Sequence, residues 1–182
     1  MADKMTPEQR HLCMSHIRSR NTRPEILVRL WLWHYGYRYR LNVKSIIGTP
    51  DIVLRKYNTV IFINGCFWHG HNCDKFKLPK SNTDFWQKKI ERNRNRDNEN
   101  FKKLSAAGWH VIVLWECQLS KQHFYQTMQA LDLRLSHYML DIHNQTAKPQ
   151  RYPDISKPDT VLAAEPAVKY ATVQNHSKND NQ

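Results

Sequence analysis

Between residues 64 and 76 the chain reads NGCFWHGHNCDKF. Cys66, His71 and Cys73 have the spacing C-x4-H-x-C, and a further sulfur, Cys117, follows the run Leu-Trp-Glu. Three thiolates and one imidazole complete a tetrahedral zinc site with no position left for a substrate, so such a site is structural. The same residues also fit separate buried thiols. Cys13 stands apart and reads as a small apolar residue of the first helix. Phe67 and Trp68 lie inside the cluster. A metal clamp would hold their loop rigid without a core beneath it, leaving the rings free to stack on bases or wedge between them. They fit equally well packed under the metal.

Asp51 follows Gly-Thr-Pro and opens a β-forming run. A carboxylate at a strand start, with a second strand close behind, can present a divalent cation to a phosphate. A Pro-Asp pair is also a common turn. No acidic-x-Lys partner occurs in TVIFIN (59–64), so Glu25, His69 and Asn64 are the groups left to complete a hydrolytic site. His69 is not needed as a zinc ligand and can take a proton from water, although a lone histidine is more often a polar loop residue. Glu25 also suits position N3 of a capping box. Asp97 falls on the apolar side of a helix, where a carboxylate needs a partner, and it reads as half of an ion pair.

The chain has 182 residues, 40% of them apolar, with 28 Lys and Arg against 16 Asp and Glu and a net charge of +12. That excess suits a polyanionic partner, nucleic acid first. No apolar run approaches a membrane span and the N-terminus lacks a signal-peptide core. The expectation is a cytoplasmic monomer in a reducing compartment, where structural disulfides are rare.

Elements that position these residues follow from the patterning. Residues 6–20 read as a helix with Thr6 as N-cap, Pro7 at N1 and Gln9 closing a capping box. Its apolar stripe, Leu12, Met14 and Ile17, is thin. Residues 22–35 form a stronger helix with Ile26, Leu27, Leu30 and Trp33 as its apolar face and Gly36 as its stop. Strands are expected at 37–41, 50–55 and 59–64, the last two as a hairpin with the second central in a covered sheet. A long helix over 84–108 places Trp86, Ile90, Asp97, Phe101 and Leu104 on one side. Then come a strand at 109–116 and a helix at about 121–140. This order predicts an α/β fold, a mixed β-sheet flanked by helices on both faces. The domain spans 1–141, and 142–182, rich in Pro and without periodicity, reads as a disordered tail.

With these residues in place, the chain resembles the very-short-patch-repair (Vsr) DNA mismatch endonucleases. The likeness runs from about Thr6 to Leu119 and rests on MSHIRSRNTRPE, GTPDIV, GCFWHGHNC, FWQKKI, RNRD, LSAAGW and LWEC. It implies a restriction-endonuclease-like fold and magnesium-dependent nicking of one strand on the 5′ side of the thymine in a T:G mismatch. Such mismatches arise when 5-methylcytosine deaminates. The resemblance further implies that Asp51 and the main-chain carbonyl of Ile63 bind magnesium, that His69 is general base, and that Glu25 supports the hydrated metal. Cys66, His71, Cys73 and Cys117 would hold structural zinc. Phe67, Trp68 and Trp86 would intercalate beside the mismatch, with Met14 and Ile17 pressing from the other groove. Partners would be T:G duplex DNA and mismatch-repair proteins. One departure stands out: family members read Thr-His where this chain has Ile63-Asn64, and an amide cannot shuttle protons near neutral pH. The rival readings are a sequence-specific restriction-type nuclease of the same fold, and a non-catalytic zinc-stabilised DNA-binding module.

Overall fold

Strand β3 (Thr59–Asn64) is the axis of the fold. Its run of β-branched and aromatic residues pairs on both sides, antiparallel with β2 (Ile52–Leu54) and parallel with β4 (His110–Trp115). A short β1 (Arg40–Leu41) completes a mixed sheet in the order β1-β2-β3-β4. The computed structural model describes residues 6–16 and 20–146. The expected disordered tail lies, from residue 147 on, outside the described residues.

The β2–β3 hairpin turns through a 3-10 segment, Arg55–Tyr57, and Asn58 closes it in the left-handed region at φ 47°. A parallel neighbour for β3 requires a crossover. Helix α3 (Thr83–Ala106) supplies it and ends where Trp109 N–H returns to the Leu104 carbonyl. The strand period of two then sorts residues onto opposite faces. Ile52, Leu54, Ile61, Ile112 and Leu114 pack with Val28 and Leu32 of α2 (Arg23–His34) and with Met128, Leu131 and Leu135 of α4 (Phe124–Thr146). Val53 and Val60 face the other way and pack with Leu104 of α3 and Ile46. Helices therefore cover both faces, as the element order predicts. The Tyr37 hydroxyl, donating to Asp132, ties α4 to the segment before β1.

Three expectations need correction. Helix α4 runs to Thr146, past its expected end at about 140. Of the strand at 37–41 only Arg40 and Leu41 pair, because β2 offers three residues and Tyr37 turns into the core instead. The apolar face read for α2 is also wrong. Ile26, Leu30 and Trp33 are exposed, whereas Glu25, Val28, Arg29 and Leu32 are buried. Periodicity weighed only apolar residues, and the buried face of α2 carries an ion pair in its first two turns. Both capping boxes form: Thr6 with Gln9 on α1 (Pro7–Ser15), and Thr22 with Glu25 on α2.

This inversion sets a test. Leu32→Ala should cost about 3 kcal/mol in urea unfolding, the cost of a core cavity. Leu30→Ala should change stability by less than about 0.5 kcal/mol, as for an exposed site.

Candidate active site and metal centre

The sheet register assembles both halves of the site. Because Asn64 pairs with Trp115 in parallel, Cys66 and Cys117 each stand two residues beyond a matched pair of strand ends. The chain then loops back, with His71 N–H donating to the Cys66 carbonyl and Cys73 N–H to that of His71. The ligand atoms of Cys66, His71, Cys73 and Cys117 all lie within 4.8 Å of one another, a group that could hold a metal ion. A tetrahedron with Zn–S bonds of about 2.3 Å has edges of about 3.8 Å, so a small contraction seats the ion. Cys117 Sγ and His71 Nδ1 are already 3.5 Å apart. Burial pushes the Cys66 thiol up to about 12, so its thiolate needs a cation beside it.

The loop is packed against α3 and β4. Trp115 stacks on His71 at 4.2 Å and 10° between planes. Asn93 of α3 donates its side-chain N–H to the Trp68 carbonyl at 2.9 Å. Gly70 has φ +59°, and a Cβ there would sit 2.6 Å from Ile90 Cγ2, so only glycine lets the loop lie this close to the helix. Phe67, Trp68 and Trp86 meet one another edge-on or tilted, with centroids 5.2–6.1 Å apart. All three are half-buried and belong to neither core cluster. The rings form a separate aromatic group beside the metal centre.

Next to it opens a cleft of about 670 Å³ that brings together Met14, Glu25, Asp51, Ile63, Asn64, Trp68, His69 and Asp97. Asp51 enters at the start of β2, and its Oδ2 accepts the Ile63 N–H at 2.7 Å. Burial raises its carboxyl to about 6; the Ile63 hydrogen bond opposes this and the nearby Glu25 charge adds to it. The turn before it holds Thr49 at φ 48°, an unusual conformation for a β-branched residue, with its N–H on the Ile46 carbonyl. His69 Nδ1 lies 2.5 Å from Asp97 Oδ2. The Asp97 carboxyl is held below its usual range: burial pushes it up, but the His69 contact and Arg96 outweigh that. An ionised carboxylate only accepts, so Nδ1 carries a proton and Nε2 is the ring nitrogen left free of Asp97.

Glu25 is 4% exposed and its oxygens are already engaged. Oε1 accepts from the Thr22 hydroxyl and N–H, and Oε2 from Asn21 N–H and the Arg29 guanidinium. Asn64 is buried at the end of β3, its carbonyl accepting Glu116 N–H. Met14 lines the cleft from α1, while Ile17 lies outside the described residues.

Comparison with known proteins decides what this arrangement belongs to. Residues 2–75 match the family model described as DNA mismatch endonuclease Vsr. The DNA mismatch endonuclease Vsr of Escherichia coli is 37% identical over 139 residues, 76% of this chain and 88% of the relative. The chain belongs to the Vsr family. Other Vsr-like relatives carry the name type II nicking enzyme. V.NmeAIP of Neisseria meningitidis is 52% identical over 67% of this chain and 87% of its own length. V.XorIIP of Xanthomonas oryzae is 51% identical over 66% and 88% respectively.

Reading the sequence alone missed Asn93, Trp115 and the identity of Asp97's partner. Trp115 was findable in principle, since a ring two residues before a candidate ligand at a strand end lies on the same side of the strand. Asn93 gave no signal, being one polar residue among many on α3. Among the described residues no helix is long and apolar enough to cross a membrane.

The desolvated Asp51 makes a signed prediction. Its folded carboxyl holds a proton more tightly than an unfolded one, so stability falls as pH rises from about 4 to about 6 and the ionised form is a net cost above that. In magnesium-free buffer, Asp51→Asn should therefore stabilise the protein at pH 7.5 by up to about 2 kcal/mol. Near pH 4 the gain should vanish. Thermal midpoints at the two pH values check this.

Proposed function

We propose that this chain nicks one strand of duplex DNA on the 5′ side of the thymine in a T:G mismatch, with magnesium at Asp51 and zinc at the cysteine–histidine cluster. The observation that carries the reading is the placement around one cleft of Asp51, the Asp97–His69 pair and Trp68, the ring through which Phe67 and Trp86 adjoin it. The restriction-endonuclease-like fold is part of the same proposal, supported by the mixed sheet with helices on both faces. We place the protein in the cytoplasm as a monomer, with mismatch-repair proteins as further partners.

Magnesium supplies charge neutralisation of the scissile phosphate and a polarised water. Asp51 would hold it, with the Ile63 main-chain carbonyl as the second protein oxygen. The burial that raises Asp51 when no cation is present is reversed by a divalent charge, so cleft and cation are matched. Glu25, its oxygens occupied by protein donors, acts on the hydrated cation through its charge. His69 takes the water proton on Nε2, while Asp97 fixes the tautomer and stabilises the imidazolium. Asn64 orients phosphate or water by hydrogen bonding, which leaves proton transfer to the His69–Asp97 pair. Phe67, Trp68 and Trp86 enter the stack beside the mismatch, and Met14 with Ile17 presses from the other groove. A mispaired step unstacks at less cost than a paired one, so ring insertion selects it. Each ring–base contact contributes on the order of 1–3 kcal/mol.

Incubation of T:G and T:A duplexes with magnesium tests the reading. Nicking should be confined to the thymine strand of the T:G duplex. Equal cleavage of both duplexes removes the mismatch claim, and double-strand breaks in paired DNA would favour a restriction-type activity. Asp51→Ala and His69→Ala should each lower the nicking rate by at least 100-fold (about 2.7 kcal/mol) while retaining DNA binding. Cys73→Ser should lose the bound metal and cooperative unfolding together, as metal binding and folding are coupled. A folded, metal-free Cys73→Ser protein would refute the structural role of the cluster.

A further inference from the structure

The second turn of α2 buries a cation, Arg29, that the hydrolytic reading leaves unused. Arg29 is 8% exposed. One guanidinium nitrogen donates to Glu25 Oε2 at 2.5 Å, and the other to Asn21 Oδ1 at 2.6 Å. Its Nε has no hydrogen-bond partner among the described residues. Asn21 N–H donates back to the same Glu25 oxygen at 3.0 Å, closing a ring of three residues. The Arg29 carbonyl accepts the Tyr39 hydroxyl at 3.1 Å, which anchors the ring to the chain before β1.

Burying a guanidinium is costly, and an apolar side chain between Val28 and Leu32 would serve stability as well or better. A buried pair of this kind is better explained by what it fixes in space. Here it fixes Asn21, which stands in the left-handed region at φ 55°. Asn21 is tied to α2 twice, through its main-chain N–H to Glu25 and its Oδ1 to Arg29. Asn21 stands between α1 and α2 in the chain. Leu12 and Met14 of α1 are exposed. Yet Met14 lines the cleft beside Asp51 and Glu25.

We propose that Arg29 is a positioning residue that fixes the chain at Asn21, at the entry to α2, and so restrains where α1 meets DNA, governing discrimination between mismatched and paired duplex rather than hydrolysis. The effect on discrimination rests on the mismatch reading given above; the effect on α1 does not. Arg29 touches no reacting atom. It acts through Asn21, and its second contact, Glu25, refers that entry to the wall of the cleft.

Two variants separate this from a merely structural role. Asn21→Gly keeps the left-handed backbone and removes only the Oδ1 acceptor. Arg29→Lys keeps the charge beside Glu25, but one ammonium cannot replace the forked contact. Both proteins should fold, with metal content unchanged. By amide hydrogen exchange, residues 8–16 should exchange at least fivefold faster than in the wild type, with β3 and β4 unaffected. On DNA, kcat for the T:G duplex should stay within threefold, KM should rise, and the T:G over T:A ratio of kcat/KM should fall at least tenfold. The double variant should lose no more than either single one, because the two residues make one contact. Unchanged exchange in α1, or losses that add in the double variant, would overturn the restraint. A wild-type enzyme that nicks T:A as fast as T:G would refute the mismatch reading instead, and the exchange comparison would then decide the restraint by itself.

Discussion

The parallel pairing of β3 with β4 is the constraint from which the site follows. It sets Asn64 against Trp115, and the next residues along each strand deliver Cys66 and Cys117 to one place. A single ion can then join two strand ends and the loop between them. One residue of slip in this register would separate those sulfurs and turn the alternating core residues to the wrong faces. The same strand, through the Ile63 N–H, also holds the Asp51 carboxylate in place. The cysteine–histidine cluster and the cleft are therefore two outcomes of one register.

Charge in the cleft is arranged by burial as much as by pairing. Asp51 is raised by desolvation and by its neighbour Glu25, and Glu25 is itself tied to Arg29. Asp97 is drawn the other way by His69 and Arg96. Two carboxylates in one cleft are thus pushed apart in acidity. That separation suits one for a cation and the other for an imidazole.

The order of elements, the hairpin, the capping boxes and the four clustered ligands were legible in the sequence because each has a local signal: a period, a cap or a spacing. The ring group was ambiguous, since nothing local says whether Phe67 and Trp68 turn in or out; Trp86, on α3, makes the third member of the group. The buried face of α2 was misread because Glu25 and Arg29 occupy core positions only as a bonded pair, and pairing of that kind is invisible to an apolar pattern. Asp97 was recognisable as needing a partner, but His69 as that partner depends on how α3 lies along the metal loop. The non-local contacts, not the elements, are what sequence reading could not supply.

The central claim is that a metal-held loop carries its rings into the duplex while Asp51 faces the backbone. It is tested most directly by 2-aminopurine placed beside a T:G mismatch, with emission read at saturating protein in magnesium-free buffer. The wild type should change the emission of the mismatched duplex and leave a paired duplex unaffected. A Phe67→Ala/Trp68→Ala protein that binds should leave both unaffected. The same emission change from the doubly substituted protein would contradict ring insertion and with it the account of how the mismatch is chosen.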